Sequence, residues 1–100
     1  MTTFNEYQEN IRQFISYNRQ MGPFATIMLL YQNIGILSQK IYSLLNSENG
    51  EISDEDKIKI AISIGDALSD LTNMASDLQI NMNDIIALNL RKYQLSQNKE

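Results

Sequence analysis

A single proline, Pro23, interrupts 100 residues, and only four glycines accompany it. Proline and glycine are the residues that most strongly end helices, so a chain this poor in them is free to run in long helical stretches. The apolar spacing agrees. Phe4, Tyr7, Ile11, Phe14 and Ile15 recur at helical intervals behind Thr3-x-x-Glu6, a capping-box pattern, which predicts a first helix from about Phe4 to Gln20. Met21, Gly22 and Pro23 mark a stop and restart, with proline suited to the first turn of a second helix from Phe24 to about Leu45. One face of that helix carries Ile27, Leu30, Ile34, Leu37, Ile41 and Leu45.

Residues 46–53 form the clearest loop in the chain. Ser53 then caps a third helix, and Asp54, Glu55 and Asp56 suit the positive end of its dipole. That helix runs to about Leu78. After a break at Gln79 and Ile80, Asn81 caps a fourth helix containing Ile85, Leu88 and Leu90. The alternation of Ile58, Ile60, Ile62 and Ile64 is the only strand-like pattern, and it lacks flanking turn signals. The expectation is an all-α protein of about four helices, one domain over residues 1–95 with a polar, frayed tail at 96–100.

Composition narrows the chemistry. There is no histidine and no cysteine. That excludes disulfides, zinc fingers, thiol nucleophiles and Ser–His triads, and leaves only hard cations held by oxygen as candidate metals. Twelve acids against eight bases, a net charge of −4, argue against a dedicated nucleic-acid binder. No signal peptide or membrane span is visible, and the absent cysteines suit a reducing compartment, so the expected location is cytoplasmic.

Two glycines fall inside the expected helices, Gly35 and Gly65, each costing about 1 kcal/mol relative to alanine. Their surroundings rhyme: Asn33 and Ile36 flank the first, and Ser63 and Asp66 flank the second. Positions i and i+3 share a helical face, so two such pairs on facing helices are expected to converge, with the glycines allowing close packing.

Here the chain resembles the MazG-like all-α nucleoside triphosphate pyrophosphohydrolases, over nearly its whole length. Residues 4–8 (FNEYQ) resemble the opening helix of that family. Gly35 to Ile41 resembles the segment after its Glu-x-x-Glu motif, and Gly65 to Leu68 with Met74 to Leu78 resembles its Glu-x-x-Asp helix. Asp84 to Lys92 is similar to the closing helix, including an Asn-x-x-Lys pair at Asn89 and Lys92. The resemblance implies a helical protomer pairing through its second and third helices into a dimer or tetramer, a nucleotide ligand, and Mg2+ held by four carboxylates. Those four positions are occupied here by Asn33, Ile36, Ser63 and Asp66. Only Asp66 is an acid, Ile36 offers no donor, and Leu29 extends the apolar character of that face. Where the family often has aromatic residues after its aspartate, Ser69 and Asp70 stand instead.

Asp66, Asp70 and Asp77, with Ser63 and Asn73, form a polar stripe on the third helix, roughly opposite Ile60, Ile64, Leu71 and Leu78. The simplest expectation is a solvated helix face. The alternatives are a relocated metal site using Asp66 and Asp70, or polar contact with another subunit. Asn89 and Lys92 are candidate nucleotide or phosphate contacts by the resemblance, while Arg91 and Lys92 also fit as ordinary cations near a helix C-terminus. Tyr7, Tyr17, Tyr31, Tyr42 and Tyr93 are expected in the core rather than as base-stacking groups. Apolar residues spread over more than one face of the third helix, since Ile58 and Ile62 point away from Ile60 and Ile64; this independently favours an oligomer. Three functions stay open: a family member that has lost catalysis and binds, sequesters or scaffolds; a divergent active Mg2+-dependent pyrophosphohydrolase; and a helical protein-interaction module.

Overall fold

The computed structural model describes residues 2–14, 22–46 and 51–97. Four helices follow in order: α1 (Phe4–Phe14), α2 (Gly22–Leu45), α3 (Asp54–Asp77) and α4 (Met82–Gln97), with no strand among the described residues. The protein is all-α. The expected extension of the first helix to Gln20, with Ile15 and Tyr17, lies outside the described residues, as do Met21, residues 47–50 and residues 98–100. Ser96 and Gln97, expected in the tail, belong to α4.

The helix starts are capped as their side chains dictate. The Glu6 backbone N–H donates to Thr3 Oγ1 at 3.1 Å, and the Asp56 N–H donates to Ser53 Oγ at 3.1 Å. Asn81 Oδ1 accepts from the Asn83 and Asp84 N–H groups at 2.9 and 3.4 Å. Each cap satisfies donors that the first helical turn leaves without an intrahelical partner. At its other end α3 closes in a Schellman motif. Gln79 takes a left-handed φ of 59°, its N–H reaches Ser76 O at 3.1 Å, and the Ile80 N–H reaches Ala75 O at 2.8 Å. This turn redirects the chain into α4.

Helix α3 is central, with α2 antiparallel along one side and α1 along another, and α4 packed against α1. The register of α2 on α3 follows from two side-chain bonds. Asn33 pairs with Asp70, and seven residues further along α2, Lys40 pairs with Ser63, seven residues back along α3. Thr26 extends this heptad row on α2, and the same register sets it opposite Asp77. Between these levels the register opposes Leu30 to Met74, Leu37 to Ala67 and Leu44 to Ile60. The seam is thus layered, polar and apolar levels alternating along a two-helix antiparallel pair.

Burial runs against the hydropathy pattern. Among the described residues the only buried apolar side chains are Ala75 and Met82, whereas Thr26, Ser63, Thr72 and Asn73 are all buried. Thr72 is tolerated because its hydroxyl donates to Leu68 O at 2.7 Å within its own helix. Ile34, Ile64 and Leu71 remain 46%, 52% and 47% exposed. The polar stripe of α3 is therefore largely turned inward: Ser63 and Asp70 bond residues of α2, Asn73 and Asp77 bond Arg12 of α1, Asp66 alone of the five is exposed, and Ile64, Leu71 and Leu78 opposite them face outward. Tyr31, Tyr42 and Tyr93 depart from expectation and are exposed, whereas Tyr7 is half-buried against α3, its hydroxyl 3.1 Å from Ser69 Oγ; Tyr17 lies outside the described residues. The radius of gyration is 16.5 Å, against about 13 Å for a compact chain of this length.

Candidate functional site

The site suggested by the sequence lies on the side of the α2–α3 pair where α1 covers only the C-terminal half of α3. The register places Ile36 and Asp66 at one level. Asn33 stands about a turn to one side of it and Ser63 about a turn to the other, so the levels of Asn33 and Ser63 are about 10 Å apart along the axis. The four positions are strung out along the helix pair rather than converging on a point.

Two of them are held by neighbours that sequence spacing did not indicate. Asn33 Nδ2 donates to Asp70 Oδ2 at 2.6 Å, and Lys40 Nζ donates to Ser63 Oγ at 3.2 Å. Ile36 and Asp66 are exposed. Asp70, the candidate second ligand, has its carboxyl pushed above the ordinary value of 3.8, first by burial and then by the nearby negative charge of Asp66, while the Asn33 hydrogen bond opposes the rise. Among the described residues no group of three or more acids is placed to hold a metal ion.

These donors do not suit Mg2+. A hard dication is held by anionic oxygens. The site offers Asp66 and an Asp70 whose ionisation burial disfavours, and it sets the Lys40 ammonium on Ser63, where a cation repels a second cation. Beside Ile36 lies a cleft of about 430 Å³ lined by Ile36, Gln39, Lys40, Ser43, Leu44, Asp56, Lys59 and Ile60. Lys59 also approaches Glu55 one turn away at 3.7 Å, an exposed pair that contributes little. Lys40 and Lys59 give the cleft two ammonium groups, set against the one carboxylate of Asp56 and an otherwise largely aliphatic lining. Lys40 went unnoticed in the sequence, although the seven-residue spacing of Thr26, Asn33 and Lys40 was there to be read.

The glycines do not act as expected. A Cβ added at Gly35 or Gly65 meets nothing within 4 Å, so neither marks a close approach of helices within the chain. Each lies two residues from a seam residue, Asn33 or Ser63, which turns it about 200° away from the opposing helix. Asn89 and Lys92 are exposed on α4, where Arg91 and Lys92 share a shallow depression with Leu88, Leu95 and Ser96. No hydrogen bond among the described residues links them to the site.

A second polar cluster, absent from the sequence reading, joins α1 to the α3–α4 turn. Gln8 Nε2 donates to Ser76 Oγ at 3.2 Å and to Ile80 O at 2.9 Å, while Gln8 Oε1 accepts from the Met82 N–H at 2.9 Å. Arg12 donates to Asn73 Oδ1 at 2.9 Å and to Asp77 Oδ1 at 2.6 Å. Every one of these groups bonds another helix or the turn, which marks the cluster as a clamp holding α1 in place. No helix among the described residues is long and apolar enough to cross a membrane. No family model, curated protein or solved structure matches this chain.

Proposed function

We propose that this chain is a MazG-like nucleotide pyrophosphohydrolase-family protein that has lost catalysis and works by binding a nucleotide or phosphate, by sequestration or by scaffolding. The observation that carries this reading is the Lys40–Ser63 bond. A metal-dependent hydrolase needs a dication to activate water and to offset the charge of the leaving pyrophosphate. Of the four positions that the resemblance assigns to the metal, Ser63 accepts a hydrogen bond from the Lys40 ammonium and Asn33 is engaged with Asp70, which supports the reading. A protein built this way can still attract phosphate through Lys40 and Lys59 while lacking the means to cleave it.

Two measurements test it. Pyrophosphate release is followed with Mg2+ or Mn2+ and a panel of ribo- and deoxynucleoside triphosphates, and no significant turnover is expected. Turnover on the order of 1 per second, abolished by Asp66→Ala, would establish the divergent active enzyme instead. Thermal stabilisation by ATP or pyrophosphate in the presence of EDTA is expected, and is expected to be lost in Lys40→Gln. Absence of stabilisation by any phosphate ligand would leave scaffolding as the surviving form of the proposal.

A further inference from the structure

We infer that the C-terminal half of α4 is a docking arm for an acidic amphipathic helix of another protein. This goes beyond the functional reading above and does not depend on it.

The fold leaves this arm bare. Helix α4 starts against α1, where the Met82 N–H donates to Gln8 Oε1 and the Asn83 N–H donates to Asn5 Oδ1. As α4 advances, its partners step back along α1, so α4 heads toward the first residues of the chain. Helix α1 begins at Phe4, whereas α4 continues to Gln97. Met82 is buried and Ile85 and Ile86 are half-buried, but every residue from Ala87 to Gln97 is exposed. The last three turns of α4, about 16 Å of helix, thus bury nothing against the other described residues. A helical segment this short is marginal in water, because helices in proteins draw most of their stability from packing an apolar face. The arm has apolar groups to offer: Leu88 is 68% exposed and Leu95 55%.

Spacing and charge select the occupant. Leu88, Arg91, Lys92 and Leu95 stand at i, i+3, i+4 and i+7, one stripe of the helix, and line a shallow depression with Ser96. That spacing is the anchor pattern by which one amphipathic helix packs against another. Between Asp84 and Gln97 these two cations are the only charged residues. The chain as a whole carries −4, so the residues other than Arg91 and Lys92 together carry −6. The stripe is a local positive island with a leucine at either end. A helix that sets apolar side chains on Leu88 and Leu95 and carboxylates on Arg91 and Lys92 complements it in both respects. The same arm of another copy does not, since it would set these cations against themselves. Single-stranded nucleic acid stacks its bases on aromatic groups, and the stripe holds none.

The test titrates the full chain into a fluorescein-labelled synthetic helix of about four heptads, with leucine at the core positions and glutamate at the flanking ones, and reads anisotropy. A twin peptide with lysine in place of glutamate is the control, and circular dichroism confirms that each variant folds. The parent is expected to bind the glutamate peptide with micromolar affinity, weakened about 10-fold between low and high salt, and not to bind the lysine peptide. Arg91→Glu and Lys92→Glu are each expected to lower the affinity about 10-fold or more, while Arg91→Lys retains it. Leu88→Ser and Leu90→Ser carry the same helix-propensity cost, but Leu90 lies about 200° around the helix from Leu88. Only Leu88→Ser is expected to weaken binding, by about 10-fold. Failure of the parent to bind the glutamate peptide overturns the inference. So does equal binding of the lysine peptide, or equal weakening by Leu90→Ser. Tighter binding of a uridine oligonucleotide than of the peptide, lost in Lys92→Glu, would assign the arm to nucleic acid and overturn it as well. Self-association of the parent that Arg91→Glu abolishes would make the occupant another copy, with the same consequence.

Discussion

At the residue scale, the same glycine carries opposite expectations depending on what surrounds it. Sequence rhyme led to close packing at Gly35 and Gly65, for which alanine would overpack and destabilise. The structure shows open space around both, so the helix-propensity term acts unopposed. Gly35→Ala and Gly65→Ala are each expected to stabilise the protein by about 0.5–1 kcal/mol in urea melts. Asp70 is a second case. Its carboxyl is raised by burial, so the folded state holds the proton more tightly than the unfolded state does. From the ordinary value of 3.8 up to the raised one, Asp70 then lowers stability as pH rises, and its cost is constant above that window. Asp70→Asn keeps an oxygen to accept from Asn33 but cannot ionise. The stability of the variant minus that of the parent is expected to climb with pH through the window and then level off. A flat difference in denaturation midpoints across that range would show that burial does not penalise the Asp70 charge.

At the scale of elements, the seam between α2 and α3 explains why both helices hold polar residues inside. Its polar levels are two satisfied pairs and one orphan: Thr26 is 2% exposed, and its hydroxyl has no hydrogen-bond partner among the described residues. A buried hydroxyl without a partner costs about 1–3 kcal/mol. Thr26→Val keeps the shape and removes the hydroxyl, so a gain of about 1 kcal/mol in unfolding free energy is expected, and a loss would reveal a bond to the hydroxyl in solution. The polar pairs also specify register. Sliding α2 by one heptad would part Asn33 from Asp70 and Lys40 from Ser63 together, while the leucines would tolerate the shift better. Helix α1 is fastened in a different way, by the amide of Gln8 and the guanidinium of Arg12 rather than by buried apolar area.

At the scale of the molecule, an expanded chain with aliphatic rows outward resembles half of a core. If a second copy covers these rows, the melting temperature is expected to rise with protein concentration. Thermal melts over a range of about 100-fold in concentration check this; a midpoint that does not move would indicate a self-sufficient monomer.

Helix content, helix number and three caps were legible in the sequence, because they depend on local terms: spacing of apolar residues, scarcity of breakers, and Thr3, Ser53 and Asn81 within three residues of the N–H groups they receive. The shortage of carboxylates at the four candidate positions was legible too, since Asn33, Ile36 and Ser63 are not acids wherever they are placed. Periodicity says which residues share a face. It does not say which face turns inward, and here the polar stripe of α3, with Asp70 and Asp77, meets its neighbours while Ile64 and Leu71 look out. That choice rests on non-local pairings, Asn33 with Asp70, Lys40 with Ser63 and Arg12 with Asp77, between residues 23 to 65 positions apart. Only the folded chain brings such residues together, because the free energy that selects one face over another comes from the partner surface and not from the helix that carries it.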